Sequence, residues 1–304
     1  MRTLFLLCIL CMQQLSSQRV APPAFFKQID REFPHHPAGL SAAVSWEHCR
    51  WEWIGPNMPE ACNGKPIPIG FMGWLADGKG LFRENADLVK DAIGIPFDSL
   101  LASPQNELRA WHKALDSVLD GIQDPLPQDW LWAAALISYI PSEAMCGSTT
   151  PLAFWLDEVL RAWAHLGGPE IKLEELIPEG LPESLHLRSG NDPFAAWNPA
   201  PSCNYNSRQG VPPSAITVHT MQGSFAGTIA WFQHCPSNVS CHYLVRSSDG
   251  YLLQMVDEAD RAWHVGTENN YTIGIEHEGF VSNPAWYTDS MYVSSAGLSR
   301  RIAV

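Results

Sequence analysis

Residues 271–279 read YTIGIEHEG, and residues 215–219 read AITVH. Both stretches have the composition of β-strands, in which successive side chains point to opposite faces. By this alternation Glu276 and Glu278 share one face of the second strand. A histidine that ends one strand, as His219 does, can meet a glutamate of the neighbouring strand over one cleft. Such a pair suits a metal hydrolase, in which imidazole holds the ion and a carboxylate takes a proton from water. It suits a buried His–Glu hydrogen bond equally well.

The sequence around these stretches predicts an α+β fold, a mixed sheet with flanking helices. Ser224 can cap a helix by accepting a hydrogen bond from its first turn. Ser247–Gly250 is rich in turn residues and predicts a hairpin. The predicted elements are strands at Ala215–His219, Val239–Val245, Tyr251–Val256 and Tyr271–Glu278, a helix from Ser224 to about Gln233, and a helix from Thr288 to the chain end.

Five short motifs follow one another in this region. They are ITVHT at 216–220, VSCHY at 239–243, SDG at 248–250, RAWH at 261–264 and IGIEHEG at 273–279. Together they resemble the type-2 N-acetylmuramoyl-L-alanine amidase family, zinc peptidoglycan hydrolases related to phage lysozyme-like amidases and animal peptidoglycan-recognition proteins. The resemblance covers about residues 196–304 and says nothing about 19–195. It implies a zinc cofactor, peptidoglycan or a muropeptide as partner, and cleavage of the amide between N-acetylmuramic acid and L-alanine.

The same resemblance implies roles for five residues. His219 matches the first zinc ligand. Glu276 matches the acidic residue that activates the zinc-bound water and stabilises the tetrahedral intermediate. Trp263 and His264 match the wall of the substrate cleft, and His242 matches a histidine on the strand beneath the site that is not itself a ligand.

Two further residues follow the predicted catalytic glutamate. Alternation turns His277 to the opposite face, so we interpret it as a packing or supporting residue. Glu278 shares the cleft face, where a supporting or solvated carboxylate is a better interpretation than a second catalytic one.

The sequence departs from the family after Gly279. In the family the second and third zinc ligands lie downstream, in a Gly-His segment and in an Asp-Pro-Gly or Cys-containing loop, and neither motif follows here. A catalytic zinc takes three protein ligands and a water, so we expect weak zinc binding and impaired activity. His242 or His264 could replace a missing zinc ligand only if the cleft rearranged. Three hypotheses stay open: an amidase whose chain continues past Val304, a non-catalytic peptidoglycan-binding module, and a structural or interaction protein that acts through its helical region.

The chain before this region divides into three parts. Residues 19–70, rich in Pro and Trp, predict irregular coil, and helical periodicity extends from Leu81 to about Ile177. Within it, helices are predicted from Ser103-Pro104 to Gly121, at Leu131–Ile140 and at Pro151–Leu166. Prolines recur between Pro178 and Pro213, which predicts a linker and a domain boundary near 195.

Chain length and net charge limit the number of domains and the classes of partner. The 304 residues carry 19 Lys and Arg against 32 Asp and Glu, a formal net charge of −13. This acidity argues against nucleic acid or an anionic membrane surface as partner. At about 100–200 residues per domain, the length favours two domains.

The amino terminus and the cysteines indicate an exported protein. Residues 1–18, MRTLFLLCILCMQQLSSQ, have one positive charge and a short apolar run, the layout of a signal peptide and too short to span a bilayer. We therefore expect a secreted or periplasmic protein without membrane insertion. Six cysteines would remain, with fifteen pairings for three disulfides. Cys235–Cys241 and Cys49–Cys62 are favoured as near neighbours, and reduced cysteines are the alternative.

Overall fold

The computed structural model describes residues 21–58, 61, 63–76, 81–142, 150–177 and 189–304. Outside this part lie the predicted signal peptide at 1–18, Cys62, Cys146 and residues 178–188 of the predicted linker. Helices of the described chain before residue 178 are α1 (Ala24–Glu32), α2 (Leu40–Cys49), α3 (Asn85–Ile93), α4 (Phe97–Leu100), α5 (Pro104–Val118), α6 (Pro127–Ile137), α7 (Thr150–His165) and α8 (Leu173–Leu176).

The prediction of irregular coil for residues 19–70 is wrong for α1 and α2. Helix α1 buries only Phe26 and Ile29, so its apolar signal is short. Nearly every residue of α2 is buried, which removes the alternation of polar and apolar faces on which helix prediction depends. Tertiary packing therefore supports two helices that the pattern of the sequence does not reveal.

The later helical prediction is confirmed at α5, α6 and α7, with shifted ends for α6. Ser103 caps α5, and its hydroxyl accepts a hydrogen bond from the Asn106 backbone N–H at 3.1 Å. Pro104 occupies the first turn, where its missing N–H costs nothing. Helix α6 begins and ends several residues before the predicted Leu131–Ile140. Among the described residues, no helix is both long and apolar enough to cross a membrane.

The region after residue 189 forms the predicted α+β fold. Its strands are β1 (Ala196–Trp197), β2 (Tyr205–Ser207), β3 (Ala215–Thr220), β4 (Tyr243–Val245), β5 (Leu252–Gln254), β6 (Asp260–Ala262) and β7 (Thr272–His277). Five strands form a mixed sheet in the order β1-β5-β4-β7-β3, and β2 pairs with β6. In the larger sheet only β4 and β5 run antiparallel to each other. They are the predicted hairpin, with shorter strands.

Two helices cover the sheet from opposite sides. Helix α9 (Phe225–Gln233) is capped by Ser224, as predicted, and α10 (Asp289–Ile302) is capped by Thr288. The face toward α10 holds one apolar cluster, formed by Ala195, Tyr243, Val245, Leu252, Ile273, Ile275, Met291 and Leu298. The face toward α9 belongs to a larger core that continues into the amino-terminal helices.

The amino-terminal helices and the sheet region also share buried charges. Arg50 follows α2, and its Nη2 lies 3.5 Å from Glu158 Oε2 on α7 and 4.0 Å from Glu278 Oε2 after β7. The Arg50 guanidinium lies over the Trp286 ring at 4.0 Å. Buried ions need such partners because burial removes their hydration. The two regions thus pack through apolar and ionic contacts, and the domain boundary near 195 stays a prediction.

The structure corrects both favoured disulfides. Cys235 pairs with Cys203, with a Cα–Cα distance of 5.5 Å, and not with Cys241. Cys241 is a fully buried thiol. Cys49 is also a thiol and donates a hydrogen bond to the Ser45 carbonyl at 3.2 Å, so the Cys49–Cys62 pairing is wrong. The bond that forms links the segment before β2 to the turn after α9, two places that are distant in sequence.

Candidate active site

His219 and Glu276 come together at the edge of the sheet. Strands β3 and β7 are parallel, and His219 is the register partner of Glu276. Register partners on neighbouring strands point to the same face. Glu276 is 1% exposed, and its Oε2 has no hydrogen-bond partner among the described residues. A buried carboxylate oxygen without a partner is uncommon and calls for an explanation, such as a catalytic role.

Burial sets the acidity of Glu276. It raises the pKa of this carboxyl to about 7, and the charge of Lys65 acts in the opposite direction. Lys65 is itself buried, and its Nζ donates to Thr228 Oγ1 on α9 at 2.9 Å. A base with a pKa near 7 can accept and release a proton at neutral pH. The amino-terminal region therefore contributes a cation to the surroundings of Glu276.

His219 is hydrogen-bonded to His264, with 3.0 Å between His219 Nε2 and His264 Nδ1. Thr272 fixes which nitrogen carries each proton. Its hydroxyl donates to the Glu268 carbonyl at 2.8 Å, so at 3.2 Å it accepts from His264 Nε2–H. A neutral imidazole has one N–H, so His264 Nδ1 is the acceptor and His219 Nε2–H is the donor.

Both imidazoles are neutral at physiological pH. Burial lowers the pKa of His219. Burial, followed by the proximity of the His219 ring and of the Arg208 charge, lowers the pKa of His264 to about 3. Neutral imidazole is the form that coordinates metal ions. His219 Nε2 carries a proton in this arrangement, so the two facing nitrogens become a pair of potential metal donors only when that proton moves to His219 Nδ1.

No third donor joins this pair within the described residues. There, one group of three or more His, Cys, Asp or Glu side chains has converging ligand atoms, and it is His35, His36 and Asp116 in the helical region. His219 and His264 are therefore two donors without a third protein ligand in that part of the chain.

His242 lies beneath the site and is fully buried. Its Nδ1 accepts from the Gly274 backbone N–H at 3.0 Å, which places the ring proton on Nε2, 3.3 Å from the Asp260 carbonyl. Arg208 Nη2 lies 2.8 Å from the same nitrogen and donates to the Thr272 carbonyl at 2.7 Å. With both nitrogens engaged, His242 can affect a substrate only through its neighbours.

Trp263 is half-buried beside the histidine pair. Its indole N–H donates to Asn206 Oδ1 at 2.8 Å, and its backbone N–H donates to Ser240 Oγ at 3.2 Å. Asn206 belongs to β2, the partner of β6. The small β2–β6 sheet therefore fixes the orientation of this partly exposed ring, which precedes His264 in the chain.

Glu278 and His277 lie away from the histidine pair. Glu278 accepts from the backbone N–H groups of Phe225 and Ser247, each at 2.8 Å, and faces Arg50. It is thus a buried structural carboxylate. His277 is buried, and burial lowers its pKa. It lies in β7 next to Glu276, and alternation turns it toward the opposite face.

Sequence reasoning missed Lys65, Arg208 and Gly274. A lysine in a Pro-rich stretch and an arginine before β3 carry no pattern that predicts burial. Gly274 did carry a signal, because glycine inside a strand often marks a close approach. A Cβ at this position would lie 2.6 Å from Cys241 Sγ and 2.7 Å from His264 Nδ1. The absence of a side chain here lets His264 reach His219.

Comparisons with known proteins match the part of the chain that holds this site. A family model described as N-acetylmuramoyl-L-alanine amidase matches residues 209–304. N-acetylmuramoyl-L-alanine amidase A of Achromobacter lyticus is 47% identical over 108 residues, which cover 36% of this chain and 60% of the relative. The 1,6-anhydro-N-acetylmuramyl-L-alanine amidase AmpD of Escherichia coli is 32% identical over 106 residues, 30% of this chain and 56% of the relative.

The chain thus spans less than two thirds of the length of these curated relatives. No solved structure matches it significantly. The matched segment contains β3, α9, β4–β7 and α10, and it includes both His219 and Glu276. Residues 209–304 of this chain are therefore similar to the N-acetylmuramoyl-L-alanine amidase family.

Proposed function

We propose that this protein hydrolyses the amide bond between N-acetylmuramic acid and L-alanine in peptidoglycan or a muropeptide. The observation that carries the proposal is Glu276, a buried carboxyl with a pKa of about 7 in register with His219. The family match over residues 209–304 and the names of the relatives support the same reaction.

The chemistry assigned to the chain's own residues is proton transfer by Glu276. The carboxylate accepts a proton from a water molecule whose oxygen attacks the carbonyl carbon of the amide. The C–N bond then breaks, and Glu276 returns the proton to the leaving amine of L-alanine. Such general base and acid catalysis contributes about 10²–10⁴-fold to a rate. Trp263 and His264 border the cleft in which the muramic acid and the first amino acid would lie.

Zinc is the cofactor that the family resemblance implies, with His219 as a ligand. When bound, zinc polarises the carbonyl and lowers the pKa of its water. A catalytic zinc takes three protein ligands, whereas the described residues bring together His219 and His264. The donor set of the described residues therefore does not fit a complete zinc site, and the steps assigned here are those of Glu276.

A second candidate function follows from this incomplete donor set. A protein that keeps the cleft wall and lacks a metal site can bind muropeptides without cleaving them. The neutral histidine pair would then donate and accept hydrogen bonds, and Trp263 would offer an apolar surface to the substrate. This non-catalytic module and the amidase differ in product formation.

We also propose that the protein works outside the cytoplasm, secreted or in the periplasm. The apolar amino terminus supports export. The Cys203–Cys235 disulfide supports an oxidising compartment, because reduced thiols are the rule in the cytosol.

Incubating the full chain and added zinc with an N-acetylmuramoyl-peptide tests the proposal. Mass spectrometry would identify the products, and calorimetry in parallel would measure binding. If the protein is an amidase, we expect free N-acetylmuramic acid and a peptide with a new L-alanine amino terminus. Binding without these products would replace the amidase by the binding module. If the chain neither binds nor cleaves the peptide, the remaining hypothesis is a structural or interaction role of the helical region.

A further inference from the structure

A cluster of potential metal donors lies in the amino-terminal helical region. His35 and His36 are in the connection between α1 and α2, and Asp116 is on α5. Asp116 Oδ1 lies 2.7 Å from His36 Nε2 and 3.1 Å from His35 Nε2. These three ligand atoms all lie within 4.8 Å of one another. The cluster shares no residue with the candidate active site.

The three residues of the cluster differ in how far their side chains are exposed to solvent. The His36 side chain is 1% exposed, whereas those of His35 and Asp116 are 60% and 43% exposed. One wall of the cluster is therefore fixed in the protein interior, and the other opens to solvent. An ion could enter from solvent, and the two exposed ligands could adjust their positions to it.

Several contacts hold the His36 ring in place. Its Nδ1 lies 2.8 Å from His112 Nδ1, and its ring packs on Trp130 with centroids 4.4 Å apart. Phe33 stacks on His112 at 4.7 Å. A metal-binding histidine usually donates its other N–H to a partner that fixes its tautomer and orientation. His112 Nδ1 lies where it can accept that hydrogen bond from His36 Nδ1–H.

We propose that His35, His36 and Asp116 bind a divalent cation of the zinc type, with water in the remaining position. Two imidazoles and one carboxylate are donors that zinc accepts in three-ligand sites. Donor atoms around a tetrahedral zinc with bonds of about 2.0–2.1 Å lie roughly 3.3 Å apart. The distances of 2.7 and 3.1 Å from Asp116 Oδ1 would therefore lengthen by roughly 0.6 and 0.2 Å. The bound ion would join the α1–α2 connection to α5.

Calorimetric titration of the metal-stripped full chain with Zn²⁺ tests this site. Three variants separate it from other sites: His35→Ala and Asp116→Asn change exposed ligands, and His219→Ala removes a donor of the candidate active site. His165→Ala is the matched control, because His165 is an exposed histidine at the end of α7. Circular dichroism would establish that each variant is folded.

We expect a Zn²⁺-binding transition in the wild type that weakens by about tenfold or more in His35→Ala and Asp116→Asn, in line with the loss of a metal-site partner. His219→Ala and His165→Ala should keep the transition. The proposal is overturned if the wild type binds no Zn²⁺, or if His35→Ala and Asp116→Asn bind it as the wild type does. Loss of the transition in His219→Ala alone would place the ion at the other site and overturn the proposal as well.

Discussion

His219 and Glu276 are register partners on the parallel strands β3 and β7. Neighbouring strands lie about 4.8 Å apart, so both side chains can act on one small group. Because hydrogen-bonded strands position them, their relative placement is more rigid than loops would allow. In the proposed amidase Glu276 is the general base, and burial raises its pKa to about 7.

Replacing Glu276 by Gln should make the protein more stable at alkaline pH. The folded-state pKa of about 7 exceeds the ordinary value near 4.5, so the stability that Glu276 contributes is fully present below about pH 4.5 and is lost as pH rises through 7. At pH 8 the variant should gain up to about 3 kcal/mol in the free energy of unfolding, and at pH 4 almost nothing. Urea unfolding at both pH values measures the difference. If Glu276→Gln changed the free energy of unfolding equally at pH 4 and pH 8, the ionised Glu276 carboxylate would not destabilise the folded protein.

A methyl group at position 274 should separate the histidine pair. The added Cβ of Gly274→Ala would lie 2.7 Å from His264 Nδ1 and 2.6 Å from Cys241 Sγ, so one of them must move. We expect a loss of about 1–3 kcal/mol in stability, typical of overpacking, and altered NMR signals of the His264 and His219 rings. Gly190→Ala is the control, since nothing lies within 4 Å of a Cβ there. Unchanged ring signals in Gly274→Ala would contradict the close contact.

Removing the Arg50 charge should be strongly destabilising. Arg50→Met leaves Glu158 and Glu278 buried without their cation, which typically costs about 3–5 kcal/mol. Arg109→Met, which breaks a pair with Glu32 at the protein surface, should cost far less, because water screens an exposed ion pair. Urea unfolding of both variants checks the comparison. Similar losses in the two would mean that the buried cluster does not join the helices to the sheet region.

The Cys203–Cys235 disulfide should stabilise the protein through the chain that it closes. The two cysteines are 32 residues apart, and a cross-link of this length typically contributes about 2–4 kcal/mol. We expect the double variant Cys203→Ser, Cys235→Ser to unfold at lower urea under non-reducing conditions, whereas Cys241→Ser should retain the cross-link on a non-reducing peptide map. A map that joins Cys235 to Cys241 would contradict the structure.

The sequence predicts what depends on local periodicity and misses what depends on distant contacts. Alternation within single strands placed His219 and Glu276 correctly, because the period of two is a property of the strand itself. Lys65 and Arg50 could not be predicted, since their burial depends on helices and strands that are remote in the chain. Likewise, fifteen disulfide pairings fit the same six cysteines, and only the fold brings Cys203 to its partner.

The helical region shows the same limit. Helix α5 was predicted because Ser103 and Pro104 mark its start and its buried residues recur on one face. Helix α2 was missed because burial on all sides leaves no polar face. Spacing in the sequence likewise gives no reason to join Asp116 to the histidines before α2, which meet it through the packing of α1 on α5.

The most direct test of the account is the rate at which wild type and Glu276→Gln release the L-alanine amine from an N-acetylmuramoyl-peptide in the presence of zinc. Glu174→Gln, which removes an exposed carboxylate on α8, is the control for the change in charge. The account predicts slow, measurable release by the wild type and by Glu174→Gln, and a rate lower by about 10²-fold or more in Glu276→Gln. Equal rates in the wild type and Glu276→Gln would contradict it.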